Sequence, residues 1–193
     1  MRRIIFIVLL VLFMGATSLG MAFDNQRRGF IIGGLGGVAF NFWNQSIDST
    51  KSDTETDFAV HTDFRIGGGF KGEKLMLYYW NIVNWFGMEN VLGEKVIITS
   101  GITGLGLSYY FKPTSPSLYM NGGAGVSIWA APFEADTEAW YGFGFMGGLG
   151  YEFSPHWSVE CGVMWGNPNK TEMGYKFQTN ALAITLSIIG IAY

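Results

Sequence analysis

Phe58-Ala59-Val60-His61-Thr62-Asp63-Phe64-Arg65-Ile66 alternates with a strict period of two. Phe58, Val60, Thr62, Phe64 and Ile66 form one set, and Ala59, His61, Asp63 and Arg65 form the other. Successive side chains of a β-strand point to opposite faces, so this stretch reads as a strand with one apolar and one charged face. Two architectures use such a strand. A soluble sheet buries the apolar face as its core, whereas a closed sheet in a membrane turns it outward and keeps polar groups inside. The rest of the chain decides between them.

The N-terminus bears on the compartment. Arg2 and Arg3 precede an unbroken apolar run over residues 4–14, and small residues then lead to Gly20-Met21-Ala22. This pattern predicts a secretory signal peptide over residues 1–22 and a single mature domain over 23–193. The run is too short to cross a bilayer as a helix. Removing it takes Lys+Arg from 12 to 10 against 15 acids, a net charge of about −5, which argues against a nucleic-acid partner. Aromatics at 17%, 28 glycines and only 14% charged residues are unusual for a soluble domain and suit a sheet solvated by lipid. Lone Cys161 cannot close an internal disulfide, and its alternation partners are apolar, so it reads as a small outward hydrophobe.

The alternation predicts eight strands, over residues 28–43, 58–70, 74–86, 95–111, 117–130, 139–153, 156–166 and 177–193. Connections alternate in length. Residues 44–57, 87–94, 131–138 and 167–176 read as long loops, and 71–74, 112–116 and 154–155 as tight turns. An even strand count with short turns at one end and long loops at the other predicts an all-β fold: an eight-stranded antiparallel transmembrane β-barrel after a cleaved signal peptide. Both termini and the short turns are then expected in the periplasm, with the long loops outside the cell. Phe58, Val60, Phe64, Ile66, Phe143, Phe145, Val159 and Val163 are predicted to face lipid. Tyr109, Trp140, Tyr151, Trp157 and Trp165 are predicted to form aromatic girdles. The third strand is apolar on both faces and leaves its orientation open. The last strand fits two frames, Leu182-Ile184-Leu186-Ile188 and Ile189-Ile191-Tyr193, which suggests a bulge near Ile188.

One pattern recurs. Gly104-Leu105-Gly106-Leu107-Ser108-Tyr109-Tyr110-Phe111-Lys112-Pro113 is echoed by Gly148-Leu149-Gly150-Tyr151-Glu152-Phe153-Ser154-Pro155-His156-Trp157, each a strand running into a tight turn. Over the whole mature region this resembles the small eight-stranded outer-membrane β-barrel proteins of the OmpX, OmpW and OmpA-transmembrane-domain type. The resemblance implies residence in a bacterial outer membrane, contact with its lipid and lipopolysaccharide, and insertion by the barrel-assembly machinery. Ile189, Ile191 and Tyr193 resemble the family's C-terminal assembly signal, with Tyr in place of the usual Phe. It implies no shared activity and carries over no functional residues.

Candidate sites divide sharply. Gly142-Phe143-Gly144-Phe145-Met146-Gly147 fits a dinucleotide fingerprint literally, but it alternates as a strand with no helix to receive a phosphate. His156, Ser158 and Glu160 share one strand face and contain the elements of an activated nucleophile. That face points into the barrel, however, and the segment starts at a short turn. Only two histidines occur, His61 and His156, and no Cys/His/carboxylate spacing suits a metal. Asp48, Asp53, Glu55 and Asp57 read as a solvated acidic loop. The best-supported constellation is a lumen charge network of Asp63, Arg65, Glu152 and Glu160. Strand directions place Arg65 and Glu160 at one depth, with Asp63 above and Glu152 below. Unpaired charge in a narrow lumen is costly, so pairing is expected. Eight strands enclose room only for side chains. The resulting expectation is a non-enzymatic barrel without cofactor, its lumen plugged, serving in envelope structure or surface interaction through its loops, whose ligand the sequence leaves open. A narrow channel for small or hydrophobic solutes is the alternative, and a lipid-modifying enzyme the third reading.

Overall fold

Strand pairing runs once around the sheet and returns to its start. The computed structural model describes residues 26–48, 50–70, 72–89, 93–135 and 137–193; the expected signal peptide over residues 1–22 lies outside the described residues. The barrel strands are β1 (Gly29–Ile47), β2 (Glu55–Gly69), β3 (Leu75–Glu89), β4 (Lys95–Tyr110), β5 (Ser117–Ala130), β6 (Trp140–Ser154), β7 (Trp157–Glu172) and β8 (Tyr175–Ala192). Each pairs antiparallel with the next, and β1 pairs with β8 from Ile32–Ala192 to Ile47–Phe177, which closes the barrel. Closure satisfies the backbone groups that an open sheet edge would leave bare, the condition for a sheet to sit in hydrocarbon. A two-residue strand, Thr50–Lys51, folds back on the end of β1.

Two expected connections are shorter than their polarity suggested. Residues 167–176 are not a long loop. β7 continues through Glu172 and turns into β8 across Met173 and Gly174, both at positive φ (51° and 85°), the backbone of a two-residue hairpin turn. Polar Asn167, Asn169 and Lys170 imitate a loop, but a strand pair that projects into water is polar on both faces. Pro168 therefore lies inside a strand. The ladder to β8 stops at Gly166–Ala181 and resumes at Asn169–Gln178, since proline has no N–H to give. Likewise β1 and β2 take up much of residues 44–57.

The faces are consistent around the barrel except in β1, where Leu35 leaves the inward frame of Ile31 and Ala39 and is exposed outside. Phe58, Val60, Phe64, Phe143, Phe145, Val159 and Val163 are exposed on the outside, with Ile66 half-buried there. β3 turns Met76, Tyr78, Trp80, Ile82 and Phe86 inward and Leu77 and Tyr79 outward. β8 carries no bulge: its register with both neighbours runs unbroken through Ile188. Ile189, Ile191 and Tyr193 continue the inner face of Thr185 and Ser187, and Leu182, Ile184, Leu186 and Ile188 form the outer one. The apparent change of frame arises because the inner face itself turns apolar near the short turns, where Ile31, Met76, Ile189, Ile191 and Tyr193 pack together.

The lumen is more aromatic than a purely polar interior. Tyr78, Trp80, Tyr110 and Tyr119 are buried inside, and a second cluster of Trp43, Phe86, Ile98 and Trp129 fills the long-loop end. Glycine makes this fit. Gly150 stands opposite Tyr119 on the paired strand, and a Cβ there would lie 2.0 Å from the Tyr119 Cζ. The ring thus lies over the glycine backbone, a cross-strand aromatic–glycine pair.

Candidate functional site

The charged residues of the lumen fall into two separate clusters. In the upper one Arg65, fully buried on β2, donates through Nε to Asp63 Oδ1 at 2.9 Å and through Nη2 to Asp63 Oδ2 at 2.8 Å. The same Nη2 faces Glu160 on β7, at 2.8 Å from Oε1 and 3.0 Å from Oε2. Asp63 also accepts from Trp80 Nε1 at 2.9 Å, and Glu160 accepts from the Tyr119 hydroxyl at 2.8 Å. The guanidinium lies 4.5 Å from the Trp80 ring centroid and 5.4 Å from that of Tyr78. One cation therefore meets two carboxylates and two rings. Charge-assisted bonds and ring faces replace part of the water that the group gave up, while Nη1 is buried without a hydrogen-bond partner among the described residues.

Glu152 does not join that network. Its cation is Arg27, which lies just before β1 and donates through Nε to Glu152 Oε1 at 3.2 Å and through Nη2 to Oε2. Tyr193 donates its hydroxyl to Glu152 Oε1 at 2.8 Å, and Ser115 bonds Oε2. Arg27 also reaches the carbonyls of Lys112 at 2.8 Å and Glu73 at 3.3 Å, and it lies 4.1 Å over the Tyr110 ring. This cluster ties the N-terminal approach, two short turns and the C-terminal residue into one plug at the short-turn end. Sequence reasoning missed Arg27 because it precedes the strand. Parity gives no signal for it, since Leu35 in the same odd-numbered frame as Ile31 and Ala39 is exposed outside and Gly29 breaks the strand geometry at φ +77°.

Above the Arg65 cluster, His61 Nδ1 lies 2.7 Å from Asn84 Oδ1, and Asn84 Nδ2 donates to Asn41 Oδ1 at 2.8 Å. A cavity of about 10 Å³ sits among His61, Asp63, Glu160 and Thr185. That is room for roughly one water. Higher still, Trp43, Phe86 and Trp129 meet across the bore in tilted and edge-on contacts, with ring centroids 5.3 Å (Trp43–Trp129) and 5.6 Å (Phe86–Trp129) apart. Trp43 Nε1 donates to Asp57 at 2.7 Å, so Asp57 belongs to the lumen wall and to β2 rather than to an acidic loop, as does Glu55 by strand. At the loop end Lys170 bridges Glu172 and Glu138, and those hydrogen bonds raise its ammonium pKa.

Other candidates are dispersed. His156 sits in the β6–β7 turn at φ +72°, with Nδ1 2.9 Å from the Ile191 carbonyl, while Ser158 Oγ is 3.0 Å from the Tyr119 hydroxyl. His156 Nδ1 and Ser158 Oγ are thus directed to Ile191 and Tyr119. The Gly142–Gly147 run lies within β6 with no helix after it. Among the described residues no group of His, Cys, Asp and Glu could hold a metal. Tyr109, Tyr151 and Trp157 point outward near the short turns. Trp140 begins β6 at the opposite end but leaves the expected girdle, since it pairs with inward Trp129 and packs against the Trp43–Phe86–Trp129 cluster. Trp165 stacks on Phe145 and donates to Asn180 at 2.7 Å.

A closed antiparallel barrel with a phenylalanine- and leucine-rich exterior and ion pairs inside is the architecture of the small eight-stranded membrane barrels. No family model and no curated protein matches the chain. Among solved structures it is similar to the outer membrane protein OprG from Pseudomonas aeruginosa, at 14% identity over 87% of this chain and 98% of that one, with a TM-score of 0.47. It is also similar to Neisserial surface protein A (NspA), at 12% identity over 83% and 96%, TM-score 0.46. A third is Ail, the attachment invasion locus protein of Yersinia pestis, solved with the heparin analogue sucrose octasulfate, at 13% identity over 82% and 98%, TM-score 0.42.

Proposed function

We propose that the chain is a non-conducting, non-enzymatic outer-membrane barrel that serves envelope structure or surface interaction through its loop end. In this reading the termini and short turns face the periplasm, the outward aliphatic and aromatic residues meet lipid and lipopolysaccharide, and the barrel-assembly machinery reads Ile189, Ile191 and Tyr193 during insertion. One observation carries it: the Asp63–Arg65–Glu160 cluster, roofed by Trp43, Phe86 and Trp129 and floored by Arg27–Glu152, fills the bore at three levels. Single-channel recording in planar bilayers tests it. The expected trace is flat, and steady ionic conductance by the unaltered protein would replace this reading with the channel.

A narrow solute passage has one observation in its favour. The ladder between β2 and β3 ends at Val60–Trp85, although β1–β2 and β3–β4 pairing continues to Trp43–Glu55 and Glu89–Lys95. A recess of about 540 Å³ opens there, lined by Trp43, Glu55, Asp57, Met88 and Lys95. It ends on the buried ring of Trp43, which favours the plugged barrel.

A further inference from the structure

The outer wall of β3, β4 and β5 holds a cleft that departs from the apolar rule of the rest of the belt. Strand register sets its shape. On β4 the outward residues Thr99, Gly101 and Thr103 stand between Trp85, Val83 and Asn81 of β3 and Ala130, Ile128 and Val126 of β5. Gly101 supplies no side chain, so Val83 and Ile128 stand as walls on either side. The resulting cleft, of about 210 Å³, runs from Asn81 and Thr103 up to Trp85 and Pro132. Asn81 stands six residues from Leu75, the start of β3. At ~3.4 Å per residue and a tilt of ~40° it lies about 15 Å above the short-turn end, within the hydrocarbon belt.

The polar lining is incompletely used. Thr62 accepts from Trp85 Nε1 at 3.0 Å and donates to the Val83 carbonyl at 3.2 Å, and Thr99 donates to the Ala130 carbonyl at 3.2 Å. Asn81 donates one amide N–H to Thr103 Oγ1. That leaves the Asn81 carbonyl oxygen, its second amide N–H and the Thr103 hydroxyl proton with no partner among the described residues. An acceptor and two donors thus sit side by side at a depth where each unsatisfied group costs free energy. A single hydroxyl both donates and accepts, so it answers both kinds. An ester carbonyl answers the donors alone and leaves the Asn81 carbonyl bare.

We propose that this cleft binds a lipid acyl chain bearing a hydroxyl along its length, with the chain against Val83, Gly101 and Ile128 and the hydroxyl on Asn81 and Thr103. The head group then lies near Trp85 and Pro132, at the loop-side interface. The inference rests on the membrane-barrel reading above.

The test incubates the purified barrel in micelles with equal amounts of 12-hydroxystearate and stearate, then extracts and quantifies the bound chains. One good hydrogen bond is worth roughly tenfold in retention, so the unaltered protein is expected to prefer the hydroxylated chain by about that factor. Asn81→Leu/Thr103→Val should bring the ratio to about one while the protein stays folded, because it adds only apolar atoms to a hydrocarbon-facing wall. Gly101→Val should reduce retention of both chains. A ratio near one in the unaltered protein, or a preference that survives the double change, overturns the cleft. So does cross-linking through this wall into dimers that hold no chain, since the occupant would then be a second copy. A sample whose gel mobility is the same boiled and unboiled overturns the barrel reading and this inference together; a heat-modifiable sample with a ratio of one overturns the cleft alone.

Discussion

Replacing Arg65 with methionine isolates the energetics of the plug. The change keeps most of the side-chain volume and removes the cation that holds Asp63 and Glu160 at 2.8–3.0 Å. Each carboxylate keeps one neutral donor, Trp80 Nε1 for Asp63 and the Tyr119 hydroxyl for Glu160, and neither keeps a counter-charge. Stranding buried charge in this way typically costs about 3–5 kcal/mol, a large share of the ~5–15 kcal/mol that holds a domain together. Because Arg65 serves two acids, the double change Arg65→Met/Glu160→Gln still strands Asp63 and should recover only part of the loss. The triple change Arg65→Met/Asp63→Asn/Glu160→Gln removes all three charges and should return close to the unaltered protein. Urea unfolding from micelles, followed by tryptophan fluorescence, gives the four stabilities. Arg65→Met as stable as the unaltered protein, or effects that add to within about 0.5 kcal/mol across the series, would refute the argument that these charges act as one unit.

Lysine at Val163, on the outer face six residues from the start of β7, should cost about 2–4 kcal/mol near mid-bilayer, whereas lysine at Ser52 or Met173 should be nearly silent; folding titrations into vesicles compare them. Gly150→Val should displace the Tyr119 ring that lies 2.0 Å from the added Cβ and cost about 1–3 kcal/mol by overpacking, with Gly150→Val/Tyr119→Ala regaining part of it in the same unfolding assay. Cys161, exposed on the outer wall, should react in the folded protein with a lipid-soluble maleimide and resist a charged aqueous thiol reagent until the barrel is unfolded; equal labelling by both would place it in water.

Strand number, order and most faces were legible because the period-two pattern is a direct consequence of backbone geometry. Where the pattern failed, both faces were apolar. β3 reads LMLYYW in sequence, yet its inward Tyr78 and Trp80 differ from outward Leu77 and Tyr79 only in what they meet. Tyr78 bonds Ser108 at 2.7 Å and Trp80 bonds Asp63, partners set by neighbouring strands rather than by adjacent residues. The β7–β8 ribbon was misread for a related reason. Polarity marks a loop only while one strand face must be apolar, and beyond the membrane that requirement lapses.

The two ion-pair clusters show how far pairing can be read without a structure. Arg65 and Glu160 could be matched because both sit inside regular strands, where counting residues from a turn gives depth. Glu152 is equally regular, but its partner is not: Arg27 precedes the first strand, and it reaches Glu152 only because the short turns at Lys112 and Glu73 offer it carbonyl oxygens on the way. The requirement that a buried carboxylate be compensated was known for Glu152 as for Glu160. Depth alone would have assigned it to Arg65, which already served two acids. A count of charge within one layer, two acids to one base around Arg65, points to a second cation elsewhere. Arg27, two residues before β1 at the short-turn end where Glu152 lies, then stands in position to supply that charge.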